Sequence, residues 1–240
     1  MAGGDQGQGR ETSGDLFGKF PFFAAIPPEA RLAISRRCVR KSYGPGEILI
    51  GHRDSSRDVL FLDAGKARVN IFSASGRQVS FRDVTAGAIF GELSAIDEQQ
   101  RSASVECVTA CSAITMPRQV FLESMEQHPP FMRAVLAHLT SQIRTLTSRV
   151  YEFSTRSVRN RVQAELLRIA GDPPPDRNEV TIDKMPTHKD IADRISTHRE
   201  AVTRELGSLE QAGLVAKEGR KLKLLNVKRL RMLAEEPSAD

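Results

Sequence analysis

One short stretch of this 240-residue sequence is suited to a phosphate: Phe90-Gly91-Glu92-Leu93 and, a few residues on, Arg101-Ser102-Ala103. Gly91 lets a backbone approach closely, and a short helix starting there would aim free N–H groups at an anion. Arg101 could neutralise the phosphate oxygens and hydrogen-bond them, with Ser102 as a further donor. Glu92 is unhelpful beside a bare phosphate but suits a ribose hydroxyl, so the pair points to a nucleotide more than to an inorganic ion. The competing reading is a surface ion pair between Arg101 and Glu92.

A second group of residues has the chemistry of base reading. Thr187-His188-Lys189-Asp190 begins an apolar-periodic helix with Ile191, Ala192 and Ile195, and Thr197-His198-Arg199-Glu200 begins another with Ala201, Val202, Leu206 and Leu209. Both starts have the spacing of capping boxes. Two helices joined near 194–196 match a helix-turn-helix, whose second helix enters the major groove N-terminus first. Arg199, Glu200 and Arg204 lie on its leading face; Arg can pair with guanine and Glu can accept from a cytosine amino group. Thr197, His198 and Thr203 could hold phosphates. Alternatively, Glu200 only closes its capping box and Arg204 pairs with it on a solvated face. Gly213-Leu214-Val215, the polar Lys217-Glu218-Gly219-Arg220-Lys221 turn and 222–225 then read as a hairpin wing, with Lys217, Arg220, Lys221 and Lys223 as phosphate contacts.

The elements that must position these groups fall into two halves. Between 20 and 117, turn signals recur at Tyr43-Gly44-Pro45-Gly46, Asp63-Ala64-Gly65, Ser75-Gly76 and Ala86-Gly87. Strands are expected over 47–50, 59–62, 67–72, 78–84 and 103–116, giving an antiparallel β-roll or jelly roll. Met132, Leu136, Leu139, Ile143, Leu146, Val150 and Phe153 then follow at alternating spacings of four and three, a heptad seam. Its narrow stripe most simply pairs with its own copy in a homodimer; the alternative packs it on its own β domain. Residues 154–157 read as a hinge, 158–170 as a helix, Asp172-Pro173-Pro174-Pro175-Asp176 as a loop and 179–182 as a strand. The fold class expected is α+β, with a disordered tail (1–19), a β-roll (20–130), a dimerisation helix (131–153) and a winged helix-turn-helix (154–240).

Composition bounds the function. The length suits two domains, and 35 Lys and Arg against 30 Asp and Glu leave a mildly basic net charge of +5. Cys38, Cys107 and Cys111 match no common metal or oxidoreductase spacing and read as buried thiols; a redox or metal role for the Cys107/Cys111 pair is the alternative. No apolar run is long enough to span a bilayer and no signal peptide is present, so a cytoplasmic protein without membrane association is expected. With no paired carboxylates, metal-ligand cluster or nucleophile-base motif at a recognisable spacing, an enzyme is not expected; nucleotide hydrolysis is the rival from another class.

Phe-Gly-Glu-Leu followed by Arg-Ser-Ala resembles the phosphate-binding cassette of cyclic-nucleotide-binding domains. Joined to the heptad helix and the segment Thr197-His198-Arg199-Glu200-Ala201-Val202-Thr203-Arg204, it makes 20–230 resemble the cAMP receptor protein branch of the bacterial CRP/FNR transcription regulators. The resemblance implies that Gly91, Glu92, Leu93, Arg101, Ser102 and Ala103 hold the cyclic phosphate and ribose while the long helix meets the base. The family places a Thr-Ser pair there; the aligned pair here is Leu146-Thr147, with Thr145 and Ser148 nearby, which leaves cAMP or cGMP open. The segment between Leu93 and Arg101 is one residue shorter than in the best-known member. The resemblance further implies that Arg199, Glu200 and Arg204 read a TGTGA-like half-site in double-stranded DNA, and that RNA polymerase is a partner, through 172–178. Nothing before Cys38 could ligate the iron-sulfur cluster of the oxygen-sensing branch. The expectation is a cAMP-responsive homodimeric, allosteric regulator on palindromic TGTGA-like sites; response to cGMP or another effector, or to none, is the alternative.

Overall fold

The computed structural model describes residues 14–72, 78–174 and 176–236. The turn expected at Ser75-Gly76, most of the expected tail and Pro175 lie outside the described residues. After a 3-10 turn (Pro21–Phe23) and α1 (Pro28–Ser35) come β1 (Val39–Tyr43), β2 (Ile48–Ile50), β3 (Val59–Ala64), β4 (Lys66–Phe72), β5 (Gln78–Thr85), β6 (Ile89–Phe90), α2 (Glu92–Asp97), β7 (Ser104–Cys107) and β8 (Cys111–Met116). The strands form two antiparallel sheets, ordered β1-β8-β3-β6 and β2-β7-β4-β5. This is the β-roll that the turn signals imply.

Val59-Leu60-Phe61-Leu62 is an unbroken apolar run because β3 is covered on both faces. Leu60 and Leu62 join Ile50, Ala67, Phe90, Val105 and Ala113 in one core, while Val59 and Phe61 face another, built with α1 and the helices that follow. Phe61 sits at the centre of a ring cluster, with centroids 5.2 to 6.2 Å from Phe17, Phe20, Phe22 and Phe23. Leu16 and Phe17 are therefore core residues, and the part of the expected tail over 14–19 is not disordered. The apolar pair is held further by Leu16 N, which donates to Ser35 Oγ (3.1 Å).

The single strand expected over 103–116 is two. Cys107 ends β7 in one sheet and Cys111 starts β8 in the other, with Val108 N and Thr109 N both donating to Lys66 O where the chain crosses over. Strand β1, Val-Arg-Lys-Ser-Tyr, escaped the sequence reading because it is a polar edge strand paired only to β8. All three thiols are free and buried. Burial pushes Cys38 up to about 12, and burial with a hydrogen bond to Cys111 does the same for Cys107. Among the described residues, no group of three or more His, Cys, Asp or Glu could hold a metal ion, and no helix is long and apolar enough to cross a membrane.

Helix α3 (Arg118–Gln127) leads to the long α4 (Pro129–Thr155), and the two compact units of the structure divide within α4, after Ser141. Within the second unit, the last turns of α4 are joined to the helix that follows by the Glu152–Arg168 ion pair. The C-terminal unit continues with α5 (Val158–Ile169), capped by Ser157, whose Oγ accepts from Asn160 N, then β9 (Val180–Ile182), α6 (His188–Arg194), α7 (Arg199–Gln211), β10 (Val215–Glu218), β11 (Lys221–Leu224) and α8 (Val227–Glu235). Leu166, Ile191, Val202, Leu224 and Leu230 are the fully buried centre of its core. A sheet ordered β10-β11-β9 adds a third strand to the expected wing.

Phe17→Ala removes a ring in stacking or edge contact with three others, and should cost roughly 3–5 kcal/mol. Urea unfolding followed by the midpoint at constant slope measures it; a change within error would mean that 14–19 contribute nothing to the core.

Candidate ligand cassette and nucleic-acid interface

Strand β6 carries Phe90 into the core between the sheets, and the next residue, Gly91, turns with φ +85°. A Cβ there would lie 2.6 Å from Arg101 Nη1, 2.9 Å from Ile50 Cδ1 and 3.0 Å from Asp58 O. Both the left-handed conformation and the crowding demand glycine. The crowding has one cause: the Arg101 guanidinium is inside the protein, 3% exposed. Its Nη1 donates to Gly91 O (2.8 Å), Nη2 to Asp58 O (2.6 Å) and Nε to Ser56 Oγ (3.3 Å).

The strap 51–58 is laid along Arg101 by backbone bonds in both directions, Arg53 N to Arg101 O and Arg101 N to Asp54 O. His52 N donates to Ser104 Oγ at its start. Burial lowers the Arg101 pKa, and the charges of Asp58, Asp54 and Glu92 act against that shift. A guanidinium does not deprotonate in a protein, so the site keeps one fixed positive charge. Glu92 is as buried as Arg101, which overturns the reading of the two as a surface ion pair. Leu93, on the exposed side of α2, is 45% exposed. Ser102 is exposed and Ala103 half-buried, both directly after the arginine. Sequence reasoning missed Ser56, Asp58 and Ile50; the polar run Asp54-Ser55-Ser56-Arg57-Asp58 between two strands was the available signal.

Thr147 lies on the part of α4 that belongs to the C-terminal unit. It is exposed, and its hydroxyl donates to Ile143 O (2.9 Å), leaving the oxygen as an acceptor. Along the heptad seam Met132, Leu136, Ile143, Leu146, Val150 and Phe153 are between 36% and 64% exposed. Leu139 departs from that stripe: it packs against the N-terminal core beside Phe131 and Val135.

In the C-terminal unit, the capping box at Thr187 and Asp190 is complete. The second is not. Ser196 adopts φ +52°, Thr197 N closes the turn on Ala192 O (2.9 Å), and the Thr197 side chain is 7% exposed while His198 becomes the N-cap of α7. At the left-handed turn Thr197 is thus buried, and α7 starts from His198. His198, Arg199, Glu200, Thr203 and Arg204 are all exposed, opposite buried Val202, Leu206 and Leu209. Among the described residues no ion pair joins Glu200 to Arg204, so the competing reading of that face fails. Thr203 Oγ1 donates to Arg199 O (3.0 Å) and is 2.8 Å from His188 Nδ1. Lys221 Nζ lies 2.8 Å from Asp183 Oδ1, both largely exposed; Lys217 and Arg220 are exposed beside it.

The same unit holds an ionic network whose partners, apart from the i,i+3 pair Glu165 and Arg168, are far apart in the sequence. Glu165 accepts from Arg168 Nη1 (2.5 Å) and Arg194 Nη1 (3.4 Å), Arg168 also pairs with Glu152, and Arg149 Nη1 donates to Arg194 O (3.3 Å). Arg161 Nη1 donates to Ile195 O (2.9 Å) while its guanidinium lies 5.2 Å from the Phe153 ring centroid. Two arginines, from α4 and α5, thus reach the carbonyl end of α6.

Two family models match the chain, a cyclic nucleotide-binding domain over 40–128 and a Crp-like helix-turn-helix domain over 160–233. The transcriptional regulator SdrP of Thermus thermophilus is 27% identical over 81% of this chain and 93% of its own. The cAMP-activated global transcriptional regulator Vfr of Pseudomonas aeruginosa is 27% identical over 76% of this chain and 87% of its own. A crystal structure of a regulator of the crp/fnr family from Eubacterium rectale superposes with a TM-score of 0.70 at 20% identity, over 90% of this chain and 99% of that one.

Arg101→Ala removes the donor from two half-buried carbonyls, Gly91 O and Asp58 O, and should cost about 1–3 kcal/mol for each group left unsatisfied. Arg101→Lys keeps the charge but not the fork and should recover only part. Chemical denaturation of the three proteins measures this; equal stability of all three would mean the guanidinium does not hold the strap.

Proposed function

The chain belongs to the CRP/FNR family of transcription regulators, which are not enzymes, and we propose that it is a homodimer that binds palindromic TGTGA-like DNA when cAMP occupies its cassette. The observation that carries the nucleotide part is Arg101, a fixed charge set beside the tight Gly91 turn and the buried Glu92 carboxylate. Gly91, Leu93, Arg101, Ser102 and Ala103 would hold the cyclic phosphate, Glu92 the ribose, and Thr147 the base. The name of the Pseudomonas relative supports cAMP; the exposed apolar Leu146 beside Thr147 favours no base-specific bond, and keeps cGMP as the second reading.

The exposed apolar stripe from Met132 to Phe153, without Leu139, supports the homodimer. Two-fold symmetry then sets half-sites about 34 Å apart. Arg199, Glu200 and Arg204 would read base edges, with His198, Lys217, Arg220, Lys221 and Lys223 on phosphates. On this reading residues 20–130 bind nucleotide, 131–153 pair the subunits and 154–240 bind DNA, in the cytoplasm, with RNA polymerase as a partner at 172–178. For cAMP to act as a switch it must bind the DNA-competent state more tightly than the other.

Fluorescence anisotropy with a palindromic TGTGA-type duplex and a scrambled control tests this. Specific binding with cAMP only is expected; specific binding without any ligand would remove the switch, and none at all would remove the recognition helix. Arg199→Ala should cost about 1–3 kcal/mol of discrimination at one guanine. Lys221→Ala should weaken every sequence alike. Uniform loss in the Arg199 variant would contradict direct readout there.

A further inference from the structure

We infer that His188 is a proton-linked contact to the DNA backbone, taking up one proton at Nε2 as the duplex docks, so that binding tightens as pH falls. The inference rests on the DNA-binding reading above. His188 is the first residue of α6 and is half-buried, with Nδ1 2.8 Å from Thr203 Oγ1 on the exposed face of α7. We assign the hydroxyl proton of Thr203 to Arg199 O, 3.0 Å away, so that Oγ1 accepts and Nδ1–H is the donor. The ring is thereby fixed between the two helices of the motif, and titration is left to Nε2.

The charges around the ring oppose its protonation in the free protein. Burial lowers the pKa of His188 from its ordinary value, followed by the positive charges of Lys217 on β10 and Arg199 on α7. On its own helix the nearest carboxylate in sequence, Asp190, is engaged by Thr187 N and Oγ1. The neutral ring presents a lone pair at Nε2, and phosphate oxygens only accept, so a phosphate meeting it finds no bond. A duplex seated on Arg199 and Lys217 reverses the local field. One proton taken from solvent then turns Nε2 into a charge-assisted donor to a phosphate oxygen.

The sign follows from linkage. The proton is held more tightly in the complex than in the free protein, so the gain in affinity is full below the free His188 pKa. It is lost as pH rises through the pKa that His188 has in the complex. Between those two values, the dissociation constant should rise by up to about tenfold per pH unit.

The test is anisotropy with the palindromic duplex at fixed ionic strength from about pH 5.5 to 8, for the full-length protein, His188→Gln and His128→Gln. The expected result is a flatter profile for His188→Gln alone, because His128 is the C-cap of α3 in the N-terminal unit. Binding with parallel profiles in all three overturns the inference and leaves the DNA reading standing; absence of duplex binding at every pH overturns both. A second readout does not depend on a variant: the His188 ring titration followed by NMR, free and with duplex. A raised pKa in the complex supports the inference, and an unchanged one overturns it.

Discussion

A buried guanidinium is costly unless its donors are satisfied, and that constraint organises the N-terminal unit. Arg101 is held by two backbone carbonyls and one hydroxyl, from Gly91, Asp58 and Ser56. Three separate features answer to it. Gly91 cannot carry a Cβ because the guanidinium occupies that space. The strap 51–58 is drawn alongside because its carbonyls are needed. The paired sheets supply the frame in which backbone oxygens can be aimed at a charge, with β3, buried on both faces, shared by the two cores of the unit.

The C-terminal unit solves a related problem with the opposite sign. Glu165 is a buried carboxylate between arginines, and Arg149 and Arg161 reach the last carbonyls of α6. Breaking one partner of such a buried set costs much more than the set contributes when whole, so the network fixes arrangement rather than adding stability. Arg149 and Arg161 meet the chain at Arg194 O and Ile195 O, directly before the tight turn at Ser196 that leads into α7 with Arg199 and Arg204.

What could be read in the sequence was chemistry at short range. Gly91, Glu92 and Arg101 lie within eleven residues, the Thr187–Asp190 cap within four, and the wing is a hairpin with a two-residue loop; each declares itself locally. Contacts that span the chain do not. Ser56 and Asp58 are more than forty residues from Arg101, and Glu165 is 29 from Arg194. Where two local rules competed, the sequence offered no arbiter: Thr197 and Glu200 have the spacing of a capping box, but the left-handed turn at Ser196 moves the helix start to His198. Leu139 fits the heptad by spacing yet is claimed by the core beneath it, and Leu16 and Phe17, in a Gly-rich leader, are claimed by the Phe61 cluster.

The cysteines have a use of their own. A thiol reacts through its thiolate, and burial, which pushes Cys38 and Cys107 up to about 12, keeps both protonated at neutral pH. Cys38 and Cys107 are also shut away from reagent, as is Cys111. The natural chain is therefore close to silent toward maleimides, and a single cysteine placed on an exposed helix face, at Tyr151 for example, would take a fluorophore or spin label without prior removal of the native thiols.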